Sequence, residues 1–199
     1  YMSFTQLLET RRSIYHLGKN VEMAPDAIEA LVKKVLRESP SSFNSQSSRA
    51  LVLLGEEHQR VWDIAKEILR QMVPAEAFAA TETKLNSFAV GFGTVLFFED
   101  QAVVEGLQEQ FALYADNFPI WSEQASGMAQ LALWLAFNEA GIGASLQHYN
   151  PLIDEEVRKA WDIPKTWSLR AQMPFGSIES PAAEKTFMDD DERVIVAGK

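Results

Sequence analysis

Arg11, Arg12 and Ser13 place two guanidinium groups and a hydroxyl side by side near the start of a 199-residue chain. A guanidinium fork matches the oxygens of a phosphate, and a hydroxyl adds one more donor. The same residues also suit a basic helix terminus, where cations oppose the helix dipole. A second polar cluster runs from Ser39 to Arg49, SPSSFNSQSSR. Pro40, Ser41, Ser42, Asn44 and Gln46 bring hydroxyls, amides and free backbone groups that could ring a polar heteroaromatic ligand. The alternative is a solvated surface loop. Lys84 and Lys185 form a third set, and a lone lysine of this kind is ordinarily solvated. Gln147 and His148 follow an apolar helix and read equally well as a polar pair at a strand end.

Other chemistries are missing. Gly91-Phe92-Gly93 and Gly141-Ile142-Gly143 each lack the third glycine of a dinucleotide fingerprint, and neither a GxxxxGK(S/T) nor a GxSxG motif occurs. His16, His58 and His148 have no metal-ligand spacing, so no metal is expected. The absence of cysteine excludes disulfides, iron–sulfur clusters and thiolate zinc sites. A net charge of -10 argues against nucleic acid, whose phosphates require a basic face. No stretch approaches the roughly 20 apolar residues of a membrane span, so no membrane partner is expected and a cytoplasmic location is the default.

The elements that must position these clusters follow from periodicity. The longest apolar run, Met128 to Ala140, is interrupted only by Gln130, Asn138 and Glu139. As a helix it is apolar nearly all round, which places it in a core or between two subunits. Gly141 ends it. Ser3 and Gln6 form a capping box for a first helix that runs into Arg11. Pro25 suits the first turn of a second, with Ile28, Leu31, Val32, Val35 and Leu36 at helical spacing, ending near Ser39-Pro40. Further helices are expected over residues 56–72, 75–88, 102–114 and 151–161, with Asn117-Phe118-Pro119 as a turn. Strands are expected at residues 51–54, 94–98, 144–147 and 167–175, with a strand-like tail at 193–196. Strands separated by helices imply a sheet with helices on both faces. No repeat or linker divides the chain, so residues 1–199 read as one domain.

Taken together the clusters resemble the nitroreductase family of flavin mononucleotide (FMN) enzymes. Arg11-Arg12-Ser13 resembles its N-terminal arginine–x–serine motif, and Ser39 to Gln46 its proline–serine turn followed by asparagine and glutamine. Lys84 resembles a ring-binding lysine and Lys185 a phosphate-binding lysine. The apolar helix resembles the central dimer helix. The chain departs from the common pattern at Ser47-Ser48, Tyr15, Phe187 and residues 144–151, which is similar to the fatty-acid-repression subgroup. The resemblance implies an α+β fold, a three-layer α-β-α sandwich around a mixed, mostly antiparallel sheet. It implies a homodimer with FMN at the subunit interface. The phosphate would take Arg11, Ser13 and Lys185, and Arg12 the phosphate or the ribityl chain. Pro40, Ser41, Ser42 and Asn44 would meet the ring from the other subunit, with Gln46 of the same motif in the cofactor-binding set; Lys84 would face its pyrimidine end, and Leu146, Gln147 and His148 its edge and the pocket. The implied reaction is ping-pong transfer from NADH or NADPH to a nitroaromatic or quinone-like small molecule. The alternative implied role is a flavin-binding regulatory or sensing protein with little turnover.

Overall fold

The computed structural model describes residues 1–199. Seven helices and five strands follow in the order α1 (Phe4–Thr10), β1 (Leu17–Gly18), α2 (Pro25–Glu38), β2 (Ser48–Leu54), α3 (Gly55–Met72), α4 (Ala75–Ala89), β3 (Gly93–Asp100), α5 (Gln101–Gln110), α6 (Phe118–Glu139), β4 (Gly143–Ala144), α7 (Asp154–Trp161) and β5 (Trp167–Ile178). The sheet order is β1-β5-β3-β2, with β4 added along β5, and every strand pair is antiparallel. The one parallel contact is an isolated bridge between Ser13 and Ala144.

Side chains alternate between the two faces of a strand. Leu96 and Phe98 of β3 therefore enter one core, with Val61, Trp62 and Ala65 of α3, Leu85 and Phe88 of α4, and Val157 of α7. Val95 and Phe97 enter the other, with Ile28 and Val32 of α2 and Leu133 and Phe137 of α6. The sheet is the middle layer of three. Burial on both faces explains why β3 reads as an unbroken apolar run rather than an alternating one. No helix is long and apolar enough to cross a membrane.

Local signals set the element ends. The Ser3 hydroxyl accepts from Gln6 N at 3.3 Å, and the Gln6 side chain accepts from Ser3 N at 2.8 Å, closing the capping box. Pro25 stands at the start of α2, and Ser39 ends it in extended conformation ahead of Pro40. Gly55, at φ 57°, turns β2 straight into α3.

Several expectations are corrected. Asn117-Phe118-Pro119 is no turn between helices, because α6 starts at Phe118 and accommodates Pro119 in its first turn, where no backbone donor is lost. The helix expected to reach Tyr114 stops at Gln110 and continues as the 3-10 turn Ala112–Tyr114. The strand expected over residues 144–147 is regular only at Gly143–Ala144, with a single further bridge between Gln147 and Gln172. The tail at residues 193–196 is not a strand, since it pairs with no sheet edge and lies exposed. The short β1 was not expected, two residues being too few to show a period.

Candidate functional site

The end of α1 delivers the arginine cluster. Arg11 is the C-cap of α1, in extended conformation, so the chain leaves the helix there and runs alongside β4 through the Ser13–Ala144 bridge. The Arg11 guanidinium carbon lies 4.4 Å from the centroid of the Trp134 ring on α6. Arg12 reaches the C-terminal segment and donates to the Ala183 carbonyl. Arg11, Arg12, Ser13, Tyr15, Ala183, Glu184 and Lys185 line an open recess of about 290 Å³. Three of these are cations, and neither Arg11 nor Arg12 takes part in any ion pair of the chain. Burial, and then the adjacent Arg12 charge, push the Arg11 guanidinium below its ordinary value. An anion in this recess would relieve both effects. The donor set fits a phosphate.

The same bridge aligns the next predicted group. From Ala144 the chain continues along β5 to Leu146, Gln147 and His148. Leu146 packs against the α2/α6 core. Gln147 is 8% exposed, and its side chain donates to the Ser145 hydroxyl at 3.1 Å. His148 is exposed. The arginine cluster and the 146–148 segment are thus parts of one region.

The Pro40–Gln46 loop is elsewhere. Pro40, Ser41, Gln46, Ser48, Arg37 and Arg49 line a separate polar recess of about 210 Å³. Three non-glycine residues here are left-handed: Phe43 at φ 60°, Asn44 at φ 47° and Gln46 at φ 54°. Such conformations cost roughly 1–3 kcal/mol each and cluster at working sites. The Ser41 hydroxyl accepts from Gln46 N at 3.0 Å and helps to hold the turn. The Phe43 ring packs against Phe111, Phe118 and Trp121, with centroids 5.0, 5.3 and 6.0 Å away. Below the loop, the hydroxyls of Ser47 and Ser48 donate to the Glu99 carboxylate at 2.6 and 2.5 Å. Ser122 of α6 donates to it at 2.6 Å.

Register separates the two regions. The loop leads into Ser48, opposite Glu99, while β4 and the arginine cluster sit at the Gly93 end of β3, through Phe175. Glu99 is six residue steps along β3 from Gly93, about 20 Å at roughly 3.3 Å per residue. Lys84 lies on α4, exposed, and reaches neither recess within one chain. Sequence reasoning missed three participants. Trp134 is only one of many residues in the apolar run, and neither Phe43 nor Glu99 stands out in the sequence. For Phe43, an aromatic residue within an otherwise small and polar run was the available signal.

The α+β sandwich thus carries a cationic, phosphate-sized recess and a strained polar loop at opposite ends of its central strand. The nitroreductase family model matches residues 8–177, and the chain belongs to the nitroreductase family, a family of flavin-dependent oxidoreductases whose members are typically dimeric. Nitroreductase CinD from Lactococcus lactis, solved in complex with chloramphenicol, is 53% identical over 98% of this chain and 100% of its own, with a TM-score of 0.91. Its complex with 4-nitrophenol superposes with a TM-score of 0.90. The Saccharomyces cerevisiae protein HBN1 is 34% identical over 194 residues, 96% of each chain. Nitroreductase FRM2 of the same yeast is 31% identical over 190 residues, 94% of each chain.

Proposed function

We propose that the chain is an FMN-dependent oxidoreductase of nitroreductase type that works as a homodimer with FMN held between two copies. It takes hydride from NADH or NADPH and passes electrons to a nitroaromatic or quinone-like acceptor in alternating half-reactions. The observation that carries this reading is the recess of Arg11, Arg12, Ser13 and Lys185, three cations that form no ion pair although Glu184 also lines the recess. Arg11 lines the recess with its guanidinium over the Trp134 ring, and Arg12 also ties the C-terminal segment to the wall. These residues would hold the FMN phosphate.

The 20 Å offset supports the dimer. If the arginine recess and the Pro40–Gln46 loop serve one ligand, the loop must come from a second copy. The face of α6 that carries exposed Ile120, Met128 and Leu131 supplies an apolar surface for that copy. Pro40, Ser41, Ser42, Asn44 and Gln46 would then meet the ring from across the interface. Leu146, Gln147 and His148 would line its edge from the chain that holds the phosphate. Lys84 reaches neither recess alone, so its place at the pyrimidine end also depends on the second copy.

Bound FMN supplies the hydride exchange for which this chain offers no side-chain dyad. The residues named above would hold the phosphate and the ring, and donor and acceptor would meet the ring in turn. CinD has been solved with 4-nitrophenol and with nicotinic acid, whose pyridine ring is shared by the proposed donors. The test is anaerobic mixing of the FMN-loaded protein with NADH or NADPH. Bleaching of the flavin band, followed by its return on adding a nitroaromatic, is expected. No bleaching with either donor would instead favour the flavin-binding regulatory protein.

A further inference from the structure

Glu99 is fully buried, at 0% exposure, and is the last carboxylate of β3 before Asp100. A buried ionised group is costly unless it is partnered. Its partners are three hydroxyls and no cation. Ser47 and Ser122 both donate to Oε1, at 2.6 Å each, and Ser48 donates to Oε2 at 2.5 Å. Two of the donors end the Pro40–Gln46 loop, and the third belongs to the first turns of α6. Bonds to a charged acceptor are short and about twice as strong as neutral ones.

The segments joined here are those the proposed site needs in register. The loop carries three left-handed residues, which relax unless their surroundings hold them. On its outer side the Phe43 ring packs against α6 through Phe118 and Trp121. On its inner side the Ser47 carbonyl ties the loop to the strand entry, accepting from Asp100 N at 2.9 Å. Between the two, only a cavity of about 10 Å³ remains, lined by Ser42, Ser45, Ser47, Trp121 and Ser122 among others. That volume is at the lower limit for one water. The loop is seated on α6, with the carboxylate as the shared acceptor.

We infer that Glu99 is a positioning residue: its carboxylate clamps the Pro40–Gln46 loop to α6 through Ser47, Ser48 and Ser122, and so sets the loop that meets the flavin ring. The cofactor part of this inference rests on the proposed flavin function. The clamp itself does not.

The experiment compares wild type with Ser122→Ala, Glu99→Leu and Glu99→Gln by two measurements. One is hydrogen exchange of the 39–49 segment in FMN-free protein. The other is FMN binding by fluorescence titration, with melting temperatures recorded alongside. Ser122→Ala keeps a good helix former in α6, so it is expected to fold and to melt only several degrees below wild type. Its loop should exchange roughly tenfold faster, and its FMN Kd should rise by a similar factor, as for one lost charged hydrogen bond. Glu99→Leu should show the larger effect on both. Glu99→Gln should largely rescue, because its Oε1 still accepts from Ser47 and Ser122 while its amide can donate to Ser48.

Unchanged loop exchange in Ser122→Ala overturns the clamp, even if Glu99→Leu fails to fold. A lowered melting temperature with unchanged loop exchange overturns it too, since that is the mark of a group that only fills the core. Faster exchange with an unchanged FMN Kd overturns the link to the cofactor. A wild type that takes up no FMN overturns the flavin reading, while exchange still decides the clamp.

Discussion

The Arg11 guanidinium carbon stands 4.4 Å from the centroid of the Trp134 ring, so the cation at the end of the first helix rests over an aromatic ring of the central helix. This contact joins the cationic recess to the element that carries the proposed dimer face. A guanidinium on an aromatic face keeps its N–H edge free for an oxyanion.

Arg11→Ala removes both the stacking and one charged donor. Its FMN Kd should rise by about 10- to 100-fold, since a hydrogen bond to a charged group contributes about 1.5–3 kcal/mol. Arg11→Lys should fall between, as a point charge without the planar fork. Equilibrium dialysis against FMN measures this, and a Kd for Arg11→Ala equal to wild type would mean that the phosphate lies elsewhere.

Leu131→Glu tests the dimer face without touching the core. Leu131 is 39% exposed within one chain, whereas Leu133, two residues on, is fully buried. The Leu131 variant should fold but sediment as a single chain and release FMN. Leu133→Ala should instead lower stability by about 2–5 kcal/mol, whatever the oligomeric state. A Leu131→Glu protein that stays dimeric and yellow would show that α6 meets its partner through another face.

How much of this was legible in advance depends on the range of each interaction. The α2 helix, the capping box at Ser3 and the arginine–serine cluster are local patterns and could be read directly. The central helix was recognised as special, but a helix apolar all round has no period to separate Leu133, in the core, from Leu131, at the surface. Pro119 misled because proline both breaks helices and opens them. The Glu99 clamp was illegible for a different reason. Its serine donors lie 52, 51 and 23 residues away in the chain, and only the strand register brings them together. Ser47 and Ser48, noted in the sequence only as departures from the family pattern, turn out to be two of the three.

Phe43 gives a prediction of opposite sign to the usual one. At φ 60° its backbone is strained for any residue with a Cβ. Phe43→Ala loses the ring contacts and keeps the strain, while Phe43→Gly loses the contacts and relieves it. The glycine variant should therefore be more stable than the alanine variant by about 1 kcal/mol. Urea denaturation of the two proteins measures the difference, and an alanine variant of equal or higher stability would show that the loop is not held in this conformation.

His58 should make stability fall in mild acid. Its Nε2 lies 3.0 Å from the Ala89 carbonyl, and its Nδ1 lies 2.8 Å from the Thr94 hydroxyl, which also accepts from the Trp62 indole at 2.9 Å. The neutral ring satisfies this network with the proton on Nε2. Burial lowers its pKa, outweighing the favourable backbone carbonyls. The unfolded chain therefore binds the proton first, and stability rises with pH across the interval between the folded and unfolded values. The contribution is fully present above the unfolded value of about 6.5, and is lost as pH falls below it toward the folded value. Urea midpoints measured from neutral pH downward should drop in wild type and drop less in His58→Gln. Parallel curves for the two proteins would assign the acid sensitivity to another group.

The central claim is a flavin site assembled from two chains. The most direct measurement is the visible spectrum of the purified protein taken together with its mass in solution, for wild type and Leu131→Glu. The account predicts a dimer with an oxidised-flavin band in wild type, and a colourless single chain in the variant. A colourless wild type that takes up no added FMN, or a single-chain variant that keeps its flavin, would contradict it.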